Sequence, residues 1–559
     1  MAENPAAGTE APVRFETHPD RYRHWQLEFP PDYGGKVARI VMNVKEEGGL
    51  RPGYPLKLNS YDLGVDIELA DALSRIRFEH PDVRAIVFAS GKDRIFCSGA
   101  NIYMLGSSTH AFKVNFCKFT NETRLGIEEM SAEGGIPALA AVTGPASGGG
   151  YELAIACDEI VLQDDGSSAV SYPETPLLGV LPGTGGLTRL TDKRKVRRDL
   201  CDVFSSLAEG VRGKRAVEWG LVDECPGKSQ FEAVVKRRLE AMVARSKRKS
   251  FAPVRFGPLE AKRNDAGTEY KFVSLALDTK ARTATLTVRA PDGAQPRNPD
   301  ELGKVGADAW CIRAFREIDD ALLDLRFNHP LIGVICVKTA GDANAVLVVD
   351  KMLHEHRDDD LVSEVRRLIK RTFKRLDLTA KSLFSFVEPG SAFAGTLLEL
   401  ALASDRVYML DAEDEQPGLT LQASPMNGGA YPMSNGLTRL QSRFLKEPER
   451  VSRVLEHQGP MDTKTAMEMG LVTFAPDDID WEDEVRIAVE ERASLSPDAL
   501  TGMEANLRFG GPETMETKIF ARLSAWQNWI FQRPNAVGER GALTLYGKPE
   551  RAEFDYRRT

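Results

Sequence analysis

The chain carries the same landmarks twice. Arg77-Phe78-Glu79-His80-Pro81 returns as Arg326-Phe327-Asn328-His329-Pro330, and Glu152-Leu153-Ala154-Ile155-Ala156-Cys157-Asp158 returns as Glu399-Leu400-Ala401-Leu402-Ala403-Ser404-Asp405. Gly186-Leu187-Thr188-Arg189-Leu190 recurs as Gly436-Leu437-Thr438-Arg439-Leu440, and Gly220-Leu221-Val222 as Gly470-Leu471-Val472. Matches in one order at nearly constant separation mean two copies of one fold, each built from about half of the 559 residues. The expected domains are residues 1–257 and 258–559, the second running into a Pro- and aromatic-containing tail from Trp526 to Tyr556.

Within the first copy, Val142-Thr143-Gly144-Pro145-Ala146-Ser147-Gly148-Gly149-Gly150 joins a strand to a helix expected to start at Tyr151. Without Cβ atoms, Gly148, Gly149 and Gly150 let backbone N–H groups approach a ligand, and the helix aims its unpaired donors at the same spot. Glu152 falls in the first helical turn beside it. A turn that merely packs tightly is the alternative, since glycine motifs alone are unspecific. Upstream, the strand Arg84-Ala85-Ile86-Val87-Phe88-Ala89 leads to a second small-residue turn, Ile95-Phe96-Cys97-Ser98-Gly99-Ala100-Asn101-Ile102. It can supply a second donor, and two convergent N–H groups are what an enolate or thioester oxyanion needs.

These two turns resemble the signatures of the crotonase (enoyl-CoA hydratase/isomerase) superfamily. Phe96-Cys97-Ser98-Gly99-Ala100-Asn101-Ile102 departs from the family's Phe-Cys-Ala-Gly-Ala-Asp-Ile only by Ser98 and Asn101. Pro173-Glu174 through Leu178-Gly179, Pro182-Gly183-Thr184-Gly185-Gly186 and Arg189-Leu190 resemble the next block, and Ala216 through Gly220-Leu221-Val222 the closing one. The resemblance implies an α/β fold, tandem crotonase-like (ClpP/crotonase) ββα-spiral domains with the second degenerate. It implies an oxyanion hole at Ala100 and Gly149, catalytic Glu152 and Glu174, and acyl-CoA contacts from Lys57, Leu58, Gly99, Asn101, Ile102 and Gly148. Between Glu174 and Gly179 the chain is one residue longer than the family pattern, with Pro176 inside, which leaves the aim of Glu174 open. Cys117 lies on the segment that lines the acyl pocket in crotonases; it is either a small buried side chain or a third functional group. No metal and no redox cofactor is implied.

The tandem layout and tail narrow the resemblance to a branch that hydrolytically opens the ring of an epoxidised aromatic acyl-CoA and releases formate. A plain enoyl-CoA hydratase or isomerase with an accessory domain, and a non-catalytic acyl-CoA-binding protein, are the alternatives.

In the second copy Ala345-Val346-Leu347-Val348-Val349-Asp350 replaces the first oxyanion turn, and Thr396 stands in place of Gly149. Glu399 keeps the position of Glu152 and is expected to be a capping or ion-pair carboxylate. The second copy is read as a structural partner.

Composition bounds the remainder. No apolar run approaches the ~20 residues of a membrane span. The polar, Pro/Ala-rich segment from Met1 to Glu16 lacks the features of a signal peptide, so a cytoplasmic location is expected. Seven sparse cysteines suit reduced thiols, and a net charge of −9 argues against nucleic acid as a partner. A homo-oligomer, favoured as a dimer, is expected. Basic stretches at Lys236-Arg237-Arg238, Arg245 to Lys249 and Arg366 to Arg375 read as solvated helix faces. Gly183-Thr184-Gly185-Gly186 lacks the third glycine of a dinucleotide fingerprint, and the two histidines of His354-Glu355-His356 point to different helix faces.

Overall fold

A computed structural model describes residues 11–413 and 416–559. They form two compact units, Phe15–Phe256 and Gly257–Thr559, the latter joined by residues 11–14. Val13 N–H donates to Asn328 Oδ1 (2.8 Å) and Arg14 pairs with Asp324 (3.4 Å), which ties the start of the described chain to the second unit.

The first unit contains β1 (Trp25–Glu28), β2 (Val37–Met42), β3 (Ala85–Ser90), β4 (Ala138–Val142), β5 (Ala146–Ser147), β6 (Glu159–Leu162) and β7 (Val170–Ser171). The main sheet has the order β1-β2-β3-β4-β6; β1 runs antiparallel to β2 and the others are parallel. The pair β5-β7 forms a small second sheet. Parallel strands covered on both faces read as continuous apolar runs, as Ala85-Ile86-Val87-Phe88-Ala89 does. One sheet face, with Val37, Val87, Leu139 and Val161, packs on Phe231, Val235, Leu239 and Met242 of the helix Phe231–Arg245. The same helix turns Arg237, Arg238 and Arg245 outward to Glu159 and Glu224, a solvated ion-pair face.

Four helices frame the site: α1 (Leu63–Glu79), α2 (Ile102–Ser107), α3 (His110–Ala132) and α4 (Gly149–Ala156). Side chains of Asp62, Asn101 and Thr109 cap the first three by accepting an N–H in the first turn. The turns that leave β3 and β4 lie at the carboxyl ends of parallel strands, the edge where α/β sheets bind ligands.

The second unit has β8 (Lys262–Asn264), β9 (Gly267–Glu269), β10 (Val273–Asp278), β11 (Thr283–Arg289), β12 (Val334–Ala340), β13 (Ser382–Val387) and β14 (Arg406–Met409), in the order β14-β13-β12-β11-β10-β9-β8. β10 is antiparallel to β11, and β11 through β14 are parallel. Order and direction of β10, β11, β12, β13 and β14 therefore match β1, β2, β3, β4 and β6. Among the described residues no helix is long and apolar enough to cross a membrane.

Candidate active site

Ala100 sits in a turn pinned from both sides. Tyr61 N–H donates to Gly99 O (3.0 Å) and Asn101 N–H donates to Tyr61 O (2.8 Å), leaving the N–H of Ala100 outside that bridge. Gly149 is the first residue of α4, two positions earlier than the sequence suggests, and its N–H precedes the intrahelical ladder. Among the described residues neither N–H has an acceptor. The two turns touch: a Cβ on Gly99 would stand 2.7 Å from the nitrogen of Gly149 and cover that donor. Gly148 is not a third donor, because its N–H is spent on Ser171 O (2.9 Å).

Glu152, on the first turn of α4, is buried. Its Oε1 accepts the N–H groups of Thr184 and Gly186, each at 2.9 Å, and its Oε2 accepts the Thr184 hydroxyl. Burial raises its proton affinity above the usual carboxylate range, while these donors and the Arg124 charge pull the other way. The Gly183-Thr184-Gly185-Gly186 stretch is thus the cradle of Glu152.

Glu174 opens a π-turn, Glu174–Leu178, that ends at Gly179. This wider turn absorbs the extra residue with Pro176, so the longer spacing leaves Glu174 facing the turn at Gly148. Its Oε2 is buried and has no hydrogen-bond partner among the described residues. Burial first, and the charge of Glu152 after it, push its carboxyl up to about 7.

Cys117, on α3, lies near Gly183, and a Cβ there would be 3.8 Å from its Sγ. Burial, with the charges of Glu152 and Asp66, raises the thiol to about 11, so it is protonated at neutral pH. All seven cysteines are free. Lys57, Leu58 and Ile102 are exposed, and Leu58 holds a left-handed backbone (φ 56°). The side chain of Asn101 is buried, with Oδ1 on Met104 N–H (2.9 Å) and Nδ2 on Pro55 O (2.8 Å) and Ser60 Oγ (3.0 Å).

Three residues that the sequence does not single out belong to the same place. Thr184 supplies two of the donors to Glu152. Tyr61 and Tyr172 are fully buried, and neither hydroxyl has a hydrogen-bond partner among the described residues. The Tyr61 hydroxyl packs on Gly149, and that of Tyr172 on Gly186 beside Glu152 Oε1.

In the second unit, the segments that align in sequence with the two turns bond to one another. The segment 345–350 is part of the helix Ala343–Glu355, and it buries Asp350 against Thr396, whose N–H donates to Asp350 Oδ2 (2.8 Å). The Thr396 and Ser424 hydroxyls also bond to Asp350, so an internal carboxylate holds the N–H that aligns with Gly149. Glu399 is an ion-pair carboxylate, 2.9 Å from Arg439 Nη1.

The enoyl-CoA hydratase/isomerase family profile matches residues 53–254, so the first unit is a crotonase-fold domain. Over 98% of its length the chain is 55% identical to the benzoyl-CoA-dihydrodiol lyase of Aromatoleum evansii, of which it covers 98%. The chain therefore belongs to the benzoyl-CoA-dihydrodiol lyase family of the crotonase superfamily. A shorter likeness links 34% of the chain, at 34% identity, to 24% of the fatty acid oxidation complex subunit alpha of Shewanella loihica. Among solved structures, an enoyl-CoA hydratase from Bacillus anthracis is similar at 24% identity over 40% of this chain and 77% of its own, with a TM-score of 0.33.

Proposed function

We propose that the enzyme hydrolytically opens the non-aromatic ring of 2,3-epoxybenzoyl-CoA, consuming two waters and giving 3,4-dehydroadipyl-CoA semialdehyde and formate in aerobic, coenzyme A-dependent benzoate degradation. The observation that carries the reading is the pair of unclaimed N–H groups at Ala100 and Gly149 with Glu152 and Glu174 beside them, in a chain matched end to end by a lyase of benzoyl-CoA dihydrodiol. The N–H pair holds the thioester oxygen and stabilises enolate character as water adds to the conjugated ring. Glu174, with a carboxyl at about 7, is the proton donor to the opening epoxide oxygen. Glu152, whose carboxylate is aimed by Thr184 and Gly186, takes the proton of the attacking water. Cys117 remains a neutral thiol that orients water for the second hydration, which splits off the one-carbon fragment. Protein groups and water suffice for each step, and the reading includes no cofactor.

Lys57, Leu58, Gly99, Ile102 and the Asn101 backbone are the contacts assigned to the coenzyme A thioester. The second unit is read as a degenerate crotonase copy, supported by its matching strand order and by the closure of its site with Asp350. A cytoplasmic homodimer completes the reading; exposed Leu177 and Leu181 are apolar surface that self-association would cover. Mass spectrometry of the thioester formed from 2,3-epoxybenzoyl-CoA tests the reaction. The expected product has lost one acyl carbon; a product that retains all of them overturns it.

A further inference from the structure

We propose that Arg189 is a positioning residue, which fastens the Thr184–Gly186 turn onto Glu152 while Glu128 holds its guanidinium away from that carboxylate. This rests on the acid/base role given to Glu152 above. Arg189 is buried, and each of its three nitrogens is engaged: Nε and Nη2 donate to the two oxygens of Glu128 (2.8 and 3.0 Å), and Nη1 donates to Thr184 O (2.8 Å). Thr184 is the residue that turns its N–H and hydroxyl to Glu152. Glu128 also receives Lys193 (3.0 Å), whose ammonium donates to Ala156 O at the end of α4 (2.7 Å), the helix that carries Glu152.

The second unit shows the alternative arrangement of the same parts. Arg439 uses Nε and Nη2 on Asp377 (3.1 and 2.7 Å) and Nη1 on the Tyr431 carbonyl (3.0 Å), as Arg189 uses Glu128 and Thr184. There, however, Nη1 also reaches Glu399 (2.9 Å), and Asn427 supplies the other donor to that carboxylate (2.8 Å). Burial raises the Glu399 carboxyl, and the guanidinium in direct contact with it pulls the other way. The corresponding Glu152 meets only neutral donors from its cradle, which aim it and still let it take up a proton. The other ionisable groups facing Glu152 are Arg124 and Cys117 on α3, Tyr61, Tyr172 and Glu174; Arg124 is itself tied to Asp66 (2.9 Å).

The test is the pH dependence of kcat and KM for ring opening in Arg189→Met and Glu128→Gln, with folding checked by thermal unfolding. The limb belonging to Glu152 is the one that Glu152→Asp displaces. Arg189→Met loosens the cradle and removes a cation, so kcat falls at least ~10-fold, KM changes little, and that limb moves to higher pH. Glu128→Gln removes the carboxylate that holds the Arg189 guanidinium away from Glu152, so Arg189 can turn to Glu152 as Arg439 Nη1 reaches Glu399, and the limb moves down by about one unit. Opposite shifts are not produced by a merely structural arginine. Limbs that stay in place, or move together, overturn the proposal; if Arg189→Met does not fold, the direction in Glu128→Gln decides. Full turnover in Glu152→Gln would instead overturn the acid/base reading of Glu152.

Discussion

The Glu174 carboxyl occupies the space that a side chain on Gly148 would fill: a Cβ there would stand 2.2 Å from Glu174 Oε1, and the backbone at Gly148 has φ +54°. Both the close approach and the left-handed conformation require glycine. Gly148→Ala is expected to displace the carboxyl and lower turnover at least ~100-fold, the size of a lost proton transfer. Activity near that of the parent in a folded variant would show that Glu174 does not work from this position.

Glu152→Gln and Glu174→Gln are each expected to cost at least ~100-fold in kcat, with substrate still bound. If Glu174 is the acid, turnover of the parent falls as pH rises through about 7, where that carboxyl loses its proton. A profile flat between pH 6 and 8, set by no other slow step, would remove Glu174 from that role.

Stability supplies an independent readout. A carboxyl whose affinity for a proton is raised on folding stabilises the folded state most below its unfolded value, and that contribution is lost as pH rises through the folded value of about 7. Glu174→Gln removes the titrating group, so its melting temperature is expected to exceed the parent's at pH 8.5 and to approach it at pH 5. A difference that does not vary with pH would contradict the shift.

Much of the site is legible in sequence because Ala100, Gly149, Glu152 and Glu174 each lie in a short contiguous motif. The supports are not, because they act across the chain. Thr184 is 32 residues from Glu152, and its Gly-rich stretch reads as a defective dinucleotide fingerprint until the cradle is seen. The spacing at Pro176 shows an added residue but not that a π-turn absorbs it. In the second unit the absence of glycine at 345–350 is visible in sequence, whereas the bond of Asp350 to Thr396, over a separation of 46 residues, is a tertiary fact. The capping role of the Asn101 side chain is likewise not marked in the motif.

Glu399→Gln is expected to leave turnover within a few-fold of the parent. Removing one anion from the buried Arg439, which keeps Asp377, should lower stability by up to about 3 kcal/mol. Loss of activity without loss of stability would give the second unit a direct part in the chemistry.

Ring opening itself is tested most directly by quantifying formate from 2,3-epoxybenzoyl-CoA beside hydration of crotonyl-CoA by the same preparation. The expected result is one formate for each epoxybenzoyl thioester consumed, at a rate far above crotonyl-CoA hydration. Rapid hydration of crotonyl-CoA, with epoxybenzoyl-CoA consumed slowly and no formate released, would contradict it and make the enzyme an ordinary enoyl-CoA hydratase.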